Sequence, residues 1–594
     1  MTGCGPSEQD LELVQDRSGE RGAALLVALL AAVFLTILGL VLLEILKGGL
    51  AQAASTEASI QAEALAQRGI DDATALVWNE VIKSNQWSTY HDRIETLEPA
   101  LNSLIQQMDD KTVTGERGTY TIKIVGDTNN YEDYKENYQI IPDYPYSRIL
   151  TVQSTATAGT TRKRTVTKQA DIFVTTINPV FKYPLSADNE LALSGTPYIV
   201  GDVLTGAGNL NVFNWAYFIG SPGNRHAVET DWPTIKGFYK ALAVEPRDTQ
   251  GNLPSIPNQT RIFSHYEPFR DDQLPDAPHI SVIGAVNARI TQMDNDLNNG
   301  TAFQPILDEE FGGHVINSNV TISKKYVGQW VTFPTEVTIG NPNGGPVHFA
   351  VDGGVMTMTS DAKVSIPKGS LYVRYDNPYI AAATFAGSLE VAPPYAVVVQ
   401  GNVVIEDGFH FKGNMFIDGS VQIVGSVNLE GTLYVSGTVD MKDMKSINFV
   451  DENNDGIADK ESAPLILLAG GQVIFSESRS DDPIRIRAFL YSQEPMNLYG
   501  VVSKLHITGG VHGQTVTLNA LREDPNNKTG HFVGDDLDPF YFTPKDAQLQ
   551  LPPESSNLQI FYDHELFSRP PVGIPVTDGL TMFVQSTVPA PAAP

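Results

Sequence analysis

Cysteine is all but missing: Cys4 is the only one in 594 residues. It lacks the preceding apolar residues of a lipid-attachment motif, and a lone thiol excludes internal disulfides, so stability must come from packing or from metal. Bases are scarce too. Lys and Arg number 40 against 69 Asp and Glu, a net charge of −29. Such a surface repels nucleic acid and anionic headgroups outside local basic patches, so no nucleic-acid partner is expected. Catalytic signatures are also absent: no Gly-x-Ser-x-Gly, no His-Glu-x-x-His and no phosphate loop. An enzyme is therefore not expected. The eleven histidines are scattered, and His410, His506 and His512 are expected to face solvent. Long helical patterns are few after residue 110, while Gly and Pro are plentiful at 50 and 37, which favours a mainly β exterior.

What the chain does have is one long apolar run. Ala23 to Leu43 is uncharged and follows a short polar leader ending Arg21-Gly22. As a helix it reaches about 31 Å, one hydrocarbon core. It exceeds a signal-peptide apolar region and lacks a small-x-small cleavage site beyond it. Arg17 and Arg21 flank its amino end, so the expected topology is single-pass in the cytoplasmic membrane, amino terminus inside and bulk outside. A helix-permissive stretch, Leu50 to Lys83, continues the run. A plain signal anchor is the simpler alternative.

The segment from Glu20 to Leu30, Glu-Arg-Gly-Ala-Ala-Leu-Leu-Val-Ala-Leu-Leu, resembles the amino terminus of PilX-type minor pilins, a type IV pilin-like family. Ala62-Glu-Ala-Leu-Ala-Gln-Arg-Gly-Ile70 resembles the helix that follows it there. The resemblance implies leader cleavage between Gly22 and Ala23, and partners that are other pilin-like subunits and the pilus assembly machinery. Mature position five is Val27 where major pilins carry Glu, a departure that fits a minor subunit. Removing a leader with five acids and two bases leaves about −26. Ala28, Ala31, Ala32 and Gly39 are small enough for neighbouring helices to approach closely, which makes this an assembly helix.

The second feature is a hexad. Gly401, Asp407, Gly413, Gly419, Gly425, Gly431 and Gly437 recur every six residues, and the positions two and four later are apolar, from Val403 and Ile405 to Val439 and Met441. Intervening positions are mostly polar. Each hexad reads as a short strand and a corner, and stacked corners make a β-solenoid. The hexads resemble bactofilin-like and other parallel β-helices. An antiparallel meander or sandwich with Gly turns is the other reading.

The expected organisation is a leader (1–22), a transmembrane and extended helix (23–110), a small pilin-like sheet (111–183), first solenoid strands (184–220), an irregular insertion (221–312), the solenoid (313–521) and a final strand with a disordered tail (522–594). Within the insertion, helices are expected after Asp231 and over Val282 to Leu297.

Asp451-Glu-Asn453-Asn-Asp455-Gly456-Ile457-Ala-Asp459 matches the front of a calcium loop, with side-chain oxygens from Asp451, Asn453, Asp455 and Asp459 and the Ile457 carbonyl. Calcium is thus the candidate cofactor, although Ser462 stands where a bidentate Glu would close an EF-hand; an acidic surface turn is the alternative. Arg162, Lys163, Arg164 and Lys168 form a basic patch, expected at a solvated hairpin tip. The functional expectation is a membrane-anchored minor pilin-like subunit of a type IV pilus or pseudopilus. The alternatives are a surface adhesin with an unknown ligand, or a carbohydrate-active β-helix using outward acids such as Asp407, Asp418 and Asp440.

Overall fold

The computed structural model describes residues 12–141, 143–159, 163–206, 209–219, 225–241, 262–270, 279–298, 309–323, 330–375, 377–450, 460–461, 463–476, 482–501, 503–522 and 550–587. The fold is mainly β, with 48% strand against 26% helix. It begins with one 73-residue helix, α1 (Glu12–Ser84). A short turn leads to α2 (Tyr90–Met108), whose first turn is capped by Thr89: its Oγ1 accepts from Asp92 N at 3.1 Å. Four antiparallel strands follow: β1 (Lys111–Gly115), β2 (Gly118–Asn129), β3 (Ser147–Ala158) and β4 (Arg164–Ile177), with a short α3 (Tyr131–Asn137) before β3.

The fifth strand of this sheet comes from the opposite end of the chain. Val576–Thr587 pairs antiparallel with β4, from Thr581 opposite Thr175 to Thr587 opposite Gln169. This corrects the expected C-terminal arrangement, in which Leu558 to Asp563 was the last strand; residues 588–594 lie outside the described residues. The strand is hard to read because both its faces are covered, so apolar and polar residues do not alternate. Leu580 and Met582 pack with α1 and α2, while Phe583 packs with Phe173 on the other face.

Beyond β4 the backbone forms a closed, many-stranded parallel structure. In the hexad region, Val403 pairs with Val421, Met415 with Leu433 and His410 with Asn428, a step of eighteen residues each time. Three hexads therefore make one turn of the chain, and each turn lies in register on the last. Every apolar hexad residue from Val403 to Met441 is buried, as alternation requires. Gly413 and Gly431 meet at one corner with φ of +137° and +138°, and a Cβ on Gly431 would lie 1.9 Å from the Gly413 carbonyl oxygen.

Chain order is not spatial order. The first parallel strand, β5 (Leu185–Gly195), lies beside Leu505–Ala520. Tyr198–Val200 joins Leu558–Tyr562 there. The expected insertion contributes to the same end: Thr234–Ala241 is a strand paired with Tyr198–Val200, not the helix expected after Asp231. Ile235 and Tyr239 fill the core there. The Pro233 signal marked the approach to a strand instead of a first helical turn. The second expected helix is present as α4 (Val282–Asn298). It lies along the outside of the turns, against Val397–Gln400, His410–Asp418 and Val421–Val435. The turns then begin at Glu309–Glu310 and run back towards β5.

One outer face is apolar. Ala350, Tyr372, Val398, Phe416, Tyr434, Leu468 and Tyr491 stand in register, one per turn. This ladder joins a second core with Val286 and Ile290 of α4, Ile149 and Phe173 of the antiparallel sheet, and Phe567. It is the seam between the antiparallel unit and the parallel turns.

His506 is half-buried, less open to solvent than expected. Burial, with Arg485 and Lys504 nearby, lowers its pKa to about 4. A histidine depressed in the fold contributes stability above its ordinary value near 6.5 that is lost as pH falls towards 4. Acid titration followed by thermal melting is expected to show at most about 3 kcal/mol lost over that window. His506→Gln should flatten it.

Candidate membrane anchor and surface sites

α1 is built in two halves. From Leu25 to Leu50 its large apolar side chains are exposed, Leu25 at 72% and Leu35 at 65%. This stretch is long and apolar enough to cross a membrane, and none of its most apolar window is buried by the protein. Ala28, Ala31 and Ala32 are exposed, and a Cβ on Gly39 would meet nothing within 4 Å. The backbone is helical through Gly22 and Ala23; the side chains before Leu25 lie outside the described residues.

The other half packs on the sheet. Ala58, Ala62, Ala66, Ile70, Ala73, Val77 and Val81 are buried at helical spacing. Small residues early in this row bring α1 close to the strands. Gly69 marks the tightest approach: a Cβ there would stand 2.2 Å from Ser154 Oγ and 3.0 Å from the Tyr120 ring. Gly69→Leu is expected to destabilise this unit by about 1–3 kcal/mol through overpacking. Thermal melting of the full chain in lipid discs checks it.

The basic patch is not a free hairpin tip. Arg164 donates to Ser55 Oγ of α1 at 2.9 and 2.7 Å, and Lys168 lies 3.4 Å from Glu63 and 3.3 Å from Gln67 Oε1. The patch therefore braces β4 against the helix as it leaves the apolar half. Lys163 is exposed, and Arg162 lies outside the described residues. The candidate calcium loop from Asp451 to Asp459, with Asn453, Asp455 and Ile457, also lies outside them. Its flanks are placed: Phe449 and Val450 pair antiparallel with Glu461 and Lys460. Among the described residues no cluster of three metal-ligating side chains occurs.

The outward acids link neighbouring turns. Asp407 accepts from Ser426 N at 2.6 Å, Asp418 from Ser436 Oγ at 2.9 Å, and Asp440 from Ser476 Oγ at 2.5 Å. These bonds explain the acids structurally. His410 is exposed, but His512 is only 2% exposed, against expectation. It stacks on Tyr491 at 4.6 Å, with its Nδ1 2.9 Å from Ser186 Oγ and its Nε2 3.5 Å from Asp188. The trio has the residue types of a nucleophilic triad, yet Ser186 is fully buried, so no substrate reaches its hydroxyl. It fastens β5 to the last turn.

A cleft of ≈ 920 Å³ lies where α4, the apolar outer face, residues 140–145 and residues 572–576 meet. Its charged lining is Asp143, Arg289 and Asp296, with His348 beside them. Arg289 donates to the Pro394 carbonyl and to Gln292 Oε1, both at 2.7 Å, and lies over the Phe416 ring at 5.7 Å. Burial lowers the pKa of both Arg289 and His348. These residues come from separate segments, so no local spacing announces them.

A scan against protein-family models matches no family, and a search of curated proteins gives no match.

Proposed function

We propose that the protein is a membrane-anchored, minor pilin-like structural subunit of a type IV pilus or pseudopilus. In this reading the closed parallel structure is a bactofilin-like β-solenoid displayed at the cell surface. The observation that carries it is α1: one continuous helix whose exposed apolar half needs a bilayer or neighbouring helices, and whose other half is fixed to an antiparallel sheet. Leader cleavage behind Gly22 frees Ala23 as the mature amino terminus, inside, with the bulk outside. Other pilin-like subunits pack on the face carrying Ala28, Ala31, Ala32 and Gly39. Calcium binds the Asp451 to Asp459 loop, and the protein carries no catalytic activity. Bulk of this size crowds a shaft, which favours a tip or initiating position. Gold labelling of isolated filaments tests this: label at filament ends is expected, and uniform label along the shaft rejects the tip position.

The cleft beside Arg289 favours a second reading, a surface binding module, whose ligand is the subject of the next inference.

A further inference from the structure

We propose that the cleft between α4 and the parallel turns is a binding site for a neutral saccharide of one or two hexose units. The inference rests on the binding-module reading and is independent of how the helix is used. Four observations meet there.

The size is that of a ligand site: ≈ 920 Å³, at the junction of two structural units. Polar groups in its wall are left unpaired. His348 is only 8% exposed and its Nδ1 has no partner; Arg289 Nε is buried and also has none. Arg289 makes no ion pair among the described residues. Buried polar atoms are normally satisfied, so two unpaired ones beside one opening call for a missing partner. A hydroxyl suits both, because it donates and accepts.

Charge then chooses the class. The lining carries one cation, Arg289, against two carboxylates, Asp143 and Asp296, and burial favours the neutral form of His348. An anion would meet a net negative wall. A polyhydroxyl ligand instead gives its hydroxyl protons to the carboxylates and accepts from the guanidinium. Finally, Tyr395 in the lining is half-buried, packed against the core of the parallel turns and edge-on to His348 with ring centroids 6.3 Å apart. An aromatic surface of this kind packs on the C–H face of a sugar ring.

The test uses the full chain in phosphatidylcholine discs, free of sugar-based detergents. Saturation-transfer NMR is run with cellobiose, lactose and chitobiose, and with galacturonate and inorganic phosphate as anionic arms. At least one neutral disaccharide is expected to bind with Kd on the order of 1 mM. Arg289→Met and Tyr395→Ala are each expected to weaken it about tenfold, the effect of one lost charged hydrogen bond or stacking surface. Lys412→Met, on an exposed turn, should leave it unchanged. Tyr395→Ala removes a ring on a separate element from α4, so it reports even if Arg289→Met misfolds. No neutral binding, binding that both variants leave intact, or binding of the anions alone overturns the proposal. Any of these leaves the anchor reading standing, since helix insertion in the disc is seen separately.

Discussion

A chain ending at Ile574 is expected to lose the cooperative unfolding of its antiparallel unit while the parallel turns keep theirs. The strand removed, Val576–Thr587, is the outermost of five and buries Leu580, Met582 and Phe583, each at most 4% exposed. Phe583 stacks on Phe173 at 4.6 Å and contacts Phe567 edge-on at 5.1 Å, so its loss opens the second core as well. The strand also holds the turn between the first two helices: Asn85 exchanges two hydrogen bonds of 2.8 Å with the backbone of Leu580. Arg93 reaches the Asp578 carbonyl. Deleting one large core side chain costs about 2–5 kcal/mol, and three go together here with a row of backbone bonds. The total is comparable to the whole stability of a domain, about 5–15 kcal/mol. Calorimetry of the truncated chain should show one transition missing. An unchanged pair of transitions would mean that the strand is an ornament.

The second large effect is expected at Arg148. Its side chain is 2% exposed and is fixed by three groups. Nη1 donates to Glu98 at 2.6 Å, Nε and Nη2 donate to Asp127 at 2.9 and 2.7 Å, and Nη2 also donates to Asn102 at 2.7 Å. Tyr146 closes the set by donating to the other Glu98 oxygen at 2.7 Å. This joins α2 to β2 and β3 through one guanidinium. Arg148→Met leaves the Glu98 carboxylate buried at 4% exposure without its cation. Breaking one partner of a buried pair costs about 3–5 kcal/mol. Arg148→Met combined with Glu98→Gln and Asp127→Asn should recover much of that loss, because no buried charge is then stranded. Equal melting of the single and triple variants would contradict this account.

Much of the architecture was legible because it is locally periodic. The hexads place Val403, Phe411 and Leu433 in the core, and the eighteen-residue turn is three of those units. The outer ladder was missed: Phe416 and Tyr434 stand at intervening hexad positions, which the alternation assigns to a mostly polar face, and only the packing of α4 and the antiparallel unit shows that this face is covered. What local pattern cannot carry is which ends meet. β5 joins the last turn through contacts such as Ser186 with His512, more than 300 residues away. The C-terminal strand joins β4 across a similar span, and apolar residues on both faces erase its alternation. The cleft suffers from the same non-locality: Asp143, Arg289 and His348 become neighbours only after α4 crosses the outer face. His512 was misjudged for a related reason. In a parallel turn a residue between two inward positions is exposed only if nothing covers that face, and other elements cover His512.

The measurement that bears most directly on the anchor and its assembly role is amino-terminal sequencing of the protein recovered from membranes. A mature chain beginning at Ala23, with the apolar half of α1 intact, is the predicted result. A membrane protein that still carries its first twenty-two residues, or a released form beginning beyond residue 46, would contradict it.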